Sequence, residues 1–206
     1  MTSAKLVLVF KPRLTAVSRP EYDYVTNLAL QAGRGDRAAL EQFIAETQDD
    51  VWRLLTNLAG REYADDLTQE TYLRVLKALP RFAGRSSART WLLSLARRTW
   101  VDSVRHDMAR PRSAEGDYSD YSDAAALEPS PDNATTWSEV MDARAMLDGL
   151  APERKEAIVL TQILGYTYEE AAKIAGVRVG TIRSRVARAR ADLIAAGGAG
   201  AADDTQ

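Results

Sequence analysis

The chain is predicted to be all-α, with two small helical domains joined by a flexible acidic linker. Three observations predict this. From Tyr22 onward, apolar residues recur at three- and four-residue spacing in block after block, and only residues 6–10 read as an extended piece. Between Ser113 and Thr136 the period vanishes: this Ser/Asp/Pro/Ala-rich stretch holds Glu115, Asp117, Asp120, Asp123, Glu128 and Asp132 but no Lys or Arg. Residues 165–190 form the pattern helix, tight turn, arginine-studded helix, which is a helix-turn-helix.

The elements follow in order. Residues 1–20 are basic, contain Pro12 and Pro20, and have no sustained period; they read as a flexible arm. A first helix opens near Tyr22 and breaks at Gly33-Arg-Gly-Asp36. A second spans about 37–58, with Leu40, Phe43, Ile44, Val51, Leu54, Leu55 and Leu58 as its apolar stripe. A third spans 64–79 and stops at Pro80; Leu67, Leu73 and Leu76 are expected to turn inward, leaving Asp65, Asp66, Gln69, Glu70 and Arg74 on an exposed flank. Residues 81–87 are a Gly/Ser loop, and a fourth helix over 88–108 ends before Pro111. Further helices are expected at 137–150, 152–164, 167–175 and 179–195, followed by a disordered tail. The expected divisions are an arm (1–20), a first domain (21–112), the linker (113–135), a second domain (136–196) and the tail (197–206).

Composition removes several function classes. With 206 residues the chain can bury one or two small cores, and with no cysteine it has no disulfide, thiolate metal site or thiol nucleophile. A single histidine, His106, makes a His-based zinc site or a Ser-His-Asp triad hard to build and is expected on a helix surface. No run approaches the ~18 apolar residues of a membrane span, and residues 6–10 are too short for a signal-peptide core. The expected location is cytoplasmic, without membrane insertion, cofactor or metal. A carboxylate metal site at Asp66 and Glu70 lacks further ligands in range. The net charge of −2 conceals a segregation: Lys77, Arg81, Arg85, Arg89, Arg97, Arg98, Arg105, Arg110 and Arg112 face only Asp102 and Asp107 before the acidic linker begins.

In the helix-turn-helix, Thr167 followed by Glu170 is a capping-box start, and Gly176-Val177 marks the turn. Ile182, Val186, Ala189 and Leu193 fall on one buried stripe, which leaves Arg183, Ser184, Ala187, Arg188 and Ala191 opposite. Guanidinium groups beside small residues suit a DNA major groove, where Arg pairs bidentately with guanine. Arg178, Arg183, Arg185, Arg188 and Arg190 share the helix region with one acid, Asp192, so they are not consumed in i,i+4 pairs.

Two motif sets in this order resemble the extracytoplasmic-function (ECF) group of sigma-70-type sigma factors. One set is Gly165-Tyr-Thr-Tyr-Glu-Glu-Ala-Ala172 with Val179-Gly-Thr-Ile-Arg-Ser-Arg-Val-Ala-Arg-Ala-Arg190, similar to region 4. The other is Ala64-Asp-Asp-Leu-Thr-Gln-Glu-Thr-Tyr-Leu-Arg-Val75 with Arg89-Thr-Trp-Leu-Leu-Ser-Leu-Ala-Arg97, similar to region 2. The resemblance implies a promoter-specificity subunit of RNA polymerase with no catalysis of its own. It implies −35 contacts from Thr181, Arg183, Ser184, Arg185, Ala187 and Arg188, and −10 contacts from Phe82, Arg85, Ser86, Arg98, Asp102 and Arg105. It further implies docking on the β′ clamp helices of core polymerase through Asp65, Asp66, Leu67, Gln69, Glu70 and Arg74. The β subunit, promoter DNA and an anti-sigma factor complete the expected partners. The loop would capture a flipped base, with basic residues tracking phosphates. Phe82 reads either as a stacking platform or as core, Trp91 as core in step with Leu95, and Trp100 as either. Arg98 stands where the family commonly has Asn, so the family's Asn contact does not carry over. The acidic linker reads equally as a soluble tether or as a segment that threads the polymerase cleft.

Two rivals share parts of this reading. A dimeric helix-turn-helix regulator would need a heptad seam or a phosphoacceptor α/β domain, and neither pattern is present. A helical hydrolase using Asp65, Asp66, Glu70 and His106 would need metal-dependent turnover.

Overall fold

The computed structural model describes residues 19–109 and 144–199; the expected arm up to residue 18, the acidic linker and the last residues of the tail lie outside them. Every regular element among the described residues is helical. Helix α1 (Arg19–Gly33) begins earlier than its apolar period, because Pro20 sits in the first turn, where a missing N–H costs nothing. Helix α2 (Arg37–Ala59) is capped by Asp36, whose carboxylate accepts the Ala39 amide at 3.0 Å. Gly60, at φ 97°, ends α2 and starts α3 (Arg61–Ala78), three residues ahead of the expected position. A 3₁₀ turn at Leu79–Arg81 takes up Pro80, and α4 (Ala88–Ala109) follows the loop.

Of the expected helix at 137–150, residues 144–148 are helical and 137–143 lie outside the described residues; the second domain continues in α5 (Pro152–Ile158), α6 (Tyr168–Ala175) and α7 (Val179–Ala199). The expected single helix over 152–164 widens into a π segment at Val159–Ile163, where the Leu164 amide reaches back to the Val159 carbonyl at 2.9 Å. Helix α7 runs past the expected end at 195, since extending an existing helix gains one hydrogen bond per residue and offsets the poor propensity of Gly197 and Gly198.

The first domain closes around Phe43, Val51, Leu54, Leu55, Val75, Leu92 and Leu93, all essentially inaccessible to solvent. The second closes around Ile158, Leu160, Ile174, Ile182, Val186 and Leu193. These apolar residues form one continuous cluster, because α6 packs on α4 and the α5–π segment packs on α2. No described helix is long and apolar enough to cross a membrane.

Candidate nucleic-acid interface

Local chemistry holds the helix-turn-helix in shape. The Thr167 hydroxyl accepts the Glu170 amide at 3.2 Å, and the Glu170 carboxylate accepts the Thr167 amide at 2.9 Å. Gly176 terminates α6 in the left-handed region at φ 67°, a conformation that excludes most side chains. Ile182, Val186, Ala189 and Leu193 are buried, which turns Arg183, Ser184, Ala187, Arg188 and Ala191 out to solvent. The Asp192 carboxylate pairs with Arg154, and Arg190 donates to Gln162 at 2.8 Å. Among the described residues no carboxylate pairs with Arg183 or Arg188, so their guanidinium groups are available. Thr181 is half-buried, with the Ser184 hydroxyl donating to its carbonyl at 3.0 Å. Arg185 departs from the groove face: its guanidinium lies 3.9 Å from Glu156, in the seam between the domains.

In the first domain, the loop after the 3₁₀ turn lies against α1. The Ala88 amide donates to Thr26 at 3.1 Å, and Ser87 caps α4 by accepting the Thr90 amide at 3.0 Å. Phe82 is half-buried and stacks obliquely on Trp91, with ring centroids 4.7 Å apart. Both rings therefore pack on the core, as expected of Trp91; of the two readings of Phe82, this arrangement is the packed one. Trp100 is likewise half-buried against the core. Arg85, Arg98 and Arg105 are exposed, Ser86 is half-buried, and Arg98, Asp102 and Arg105 share one face of α4. Asp102 is not a free acid there, because Arg74 Nη1 reaches it at 2.6 Å while Arg74 Nε reaches Glu70 at 2.9 Å. The hydrogen bonds that Arg74 donates to Asp102 and Glu70 hold its guanidinium above the usual range. His106 is exposed.

The flank of α3 differs from its expected form. Leu73 and Leu76 were expected to be inward but are 48% and 44% exposed; Ala64, Thr71 and Val75 occupy the buried side instead. Helix α3 meets α2 through its small and β-branched residues, and a 3.6-residue period leaves these two leucines off that line. Asp66, Gln69 and Glu70 are exposed beside them and Leu67 is half-buried, so the flank is acidic and apolar together. Asp65 has a structural duty as well, accepting Trp52 Nε1 at 2.9 Å and tying α3 to α2.

The sequence carried no sign of the contact between the two domains. Arg97 of α4 makes a bidentate pair with Glu156 of α5, whose side chain is 2% exposed; the longer of the two bonds is 3.3 Å. Nearby, Asp50 of α2 and Arg89 of α4 pair with one another, and their charges act on the Tyr166 phenol. Burial raises the Tyr166 phenol above its ordinary range, and the Asp50 charge adds to that. Burial also raises the Asp50 carboxyl, against the pull of Arg89. Glu156 lies in the run Pro152-Glu-Arg-Lys-Glu156, which reads as a solvated helix start. Only the docked partner domain makes it interior.

Two family models match in the order of the domains: Sigma-70 region 2 over residues 43–110 and Sigma-70, region 4 over 141–193. The ECF RNA polymerase sigma factor SigC of Mycobacterium tuberculosis is 47% identical over 171 residues, covering 83% of this chain and 90% of the relative. The ECF RNA polymerase sigma factor EcfG of Rhodopseudomonas palustris is 38% identical, covering 68% and 74%. Among solved structures, the sigma factor RpoE of Bartonella quintana, crystallised with the anti-sigma factor NepR, superposes with a TM-score of 0.64 at 25% identity, covering 76% of this chain and 95% of that one. The paired helical domains, the arginine face of α7 and these relatives agree: the chain belongs to the ECF group of sigma-70 factors and acts in promoter-specific transcription initiation.

Proposed function

We propose that the chain joins core RNA polymerase through the acidic and apolar flank of α3 and grips a promoter at two points. Arg183, Ser184, Ala187 and Arg188 read the −35 element in the major groove. The loop 81–87 and the α4 face of Arg98 and Arg105 hold the melted −10 strand, with Asp102 masked by Arg74. Thr181 sits at the edge of the −35 contact, and Arg185 joins it only after leaving Glu156. Phe82 acts by bracing the loop through Trp91 and not by stacking on a base. The chain performs no catalysis; nucleotide chemistry belongs to polymerase, so the cytoplasm is where it acts. An anti-sigma factor is a further partner, as the Bartonella sigma factor was crystallised with one.

The observation that carries this reading is the unpaired arginine face of α7 beside a first domain with a separate basic face. Geometry adds a requirement. The −35 and −10 elements lie about 25 base pairs apart, or about 85 Å at ~3.4 Å per pair. The longest helix, 23 residues, reaches about 35 Å. Holding both elements at once therefore favours separation of the docked domains, which parts Arg97 from Glu156. Run-off transcription from a promoter library with reconstituted holoenzyme tests the reading. Stoichiometric core binding and transcripts from promoters sharing two spaced elements are expected. Specific DNA binding by the chain alone, without polymerase association, would refute it.

A further inference from the structure

We propose that the carboxy-terminal half of α1 is an additional DNA-binding surface, which tracks the phosphate backbone of the strand held by the 81–87 loop. It lies outside the stretch matched to region 2, which begins at residue 43. The inference rests on the reading that this loop faces the −10 strand.

Three close approaches bind the loop to α1 in antiparallel order. A Cβ on Gly33 would meet the Leu79 carbonyl oxygen at 2.7 Å, so only glycine lets the end of α1 press on the 3₁₀ turn. A Cβ on Gly84 would lie 3.6 Å from the Leu30 methyls, and the Ala88 amide is bonded to Thr26. Residues 33, 30 and 26 thus run beside 79, 84 and 88. One step round the helix from this contact line, Asn27 and Gln31 are exposed on one face, at i and i+4, and Arg34 is exposed in the turn that follows α1.

The loop that packs on this part of α1 carries the exposed Arg81 and Arg85. Arg34, Arg81 and Arg85 have no carboxylate partner among the described residues, and no acid occurs between Lys77 and Val101. Two amides and three guanidinium groups without carboxylate partners among the described residues supply hydrogen-bond donors and positive charge, the chemistry that binds successive phosphates. A protein partner is less well matched, because this set has no large apolar side chain to anchor it. The clamp at Gly33 matters to function because it presses the end of α1, next to Arg34, on the 3₁₀ turn that carries Arg81.

The test uses holoenzyme and a fork-junction DNA carrying a single-stranded −10 segment, with affinity measured against salt concentration. Replacing Arg34→Ala is expected to lower the slope of log affinity against log salt by about 0.7, the value for one lost single-strand phosphate contact. R34E should lower affinity further and shorten the open-complex lifetime, while R34K retains the wild-type slope. Core binding should be unchanged in all three. If R34E leaves slope and lifetime unchanged while R85E reduces both, the loop reading stands and the α1 surface is refuted. If neither reversal has an effect, the underlying reading fails and takes this proposal with it.

Discussion

Arg97 of the first domain and Glu156 of the second form a bidentate ion pair in which the carboxylate is almost wholly buried, with Arg185 of the recognition helix 3.9 Å away. One acid thus engages two arginines drawn from α4 and α7. Removing one partner of a buried pair is costly while the site stays closed, so the open arrangement gains by comparison. Glu156→Gln should shift the population toward separated domains by about 1–3 kcal/mol, the range for a charged hydrogen bond. The chain has no cysteine, so dyes on cysteines introduced at the exposed Glu46 and Lys173 can report it. Lower energy transfer in E156Q than in the parent is expected; equal transfer in both would mean the pair does not hold the domains together.

Leu73 contributes little to the core of its own domain and is well placed to meet polymerase. Leu73→Lys should leave thermal stability within about 0.5 kcal/mol of the parent, as for surface changes generally. Its affinity for core polymerase should fall by about tenfold or more, since burying one leucine contributes roughly 1.5–3 kcal/mol. A competition assay against labelled parent protein measures this directly. Unchanged affinity would exclude the apolar half of the α3 flank from docking.

On the recognition helix, Arg188→Glu is expected to weaken −35 binding by about 1–3 kcal/mol, the value of one bidentate base contact. Core binding and −10 fork binding should remain at parental levels. The check is promoter competition with −35 substitutions. Loss of core affinity would contradict the assignment of −35 reading to α7.

Alkaline stability depends on a buried phenol. Tyr72, bonded to Thr47 at 2.9 Å, is raised from 10.0 to about 12, chiefly by burial. The folded state therefore keeps a proton that the unfolded chain releases, and stability falls as pH rises from about 10 to about 12. Below pH 10 this phenol makes no pH-dependent contribution. Denaturant titrations of the parent and Tyr72→Phe should diverge in slope across that window; parallel curves would mean the phenol is not held protonated.

Much of this protein is written locally. The stripe Ile182, Val186, Ala189 and Leu193, the Thr167 capping box and the break at Gly33–Asp36 follow from short-range spacing and cap chemistry, which neighbouring residues decide together. The outward arginine face of α7 follows from the same period. Tertiary structure decided what spacing leaves open. Leu73 and Leu76 satisfy an apolar period yet lie outside, because α3 turns Ala64, Thr71 and Val75 to the core instead. Phe82 packs on Trp91, and Asp102 is paired with Arg74 across two helices, contacts that helix period does not specify. Glu156 and Arg185 read as solvent-facing charges until α4 brings Arg97 across them. Helix period specifies which residues share a face; only the packing of whole helices specifies which faces meet, and so which charges are free for DNA.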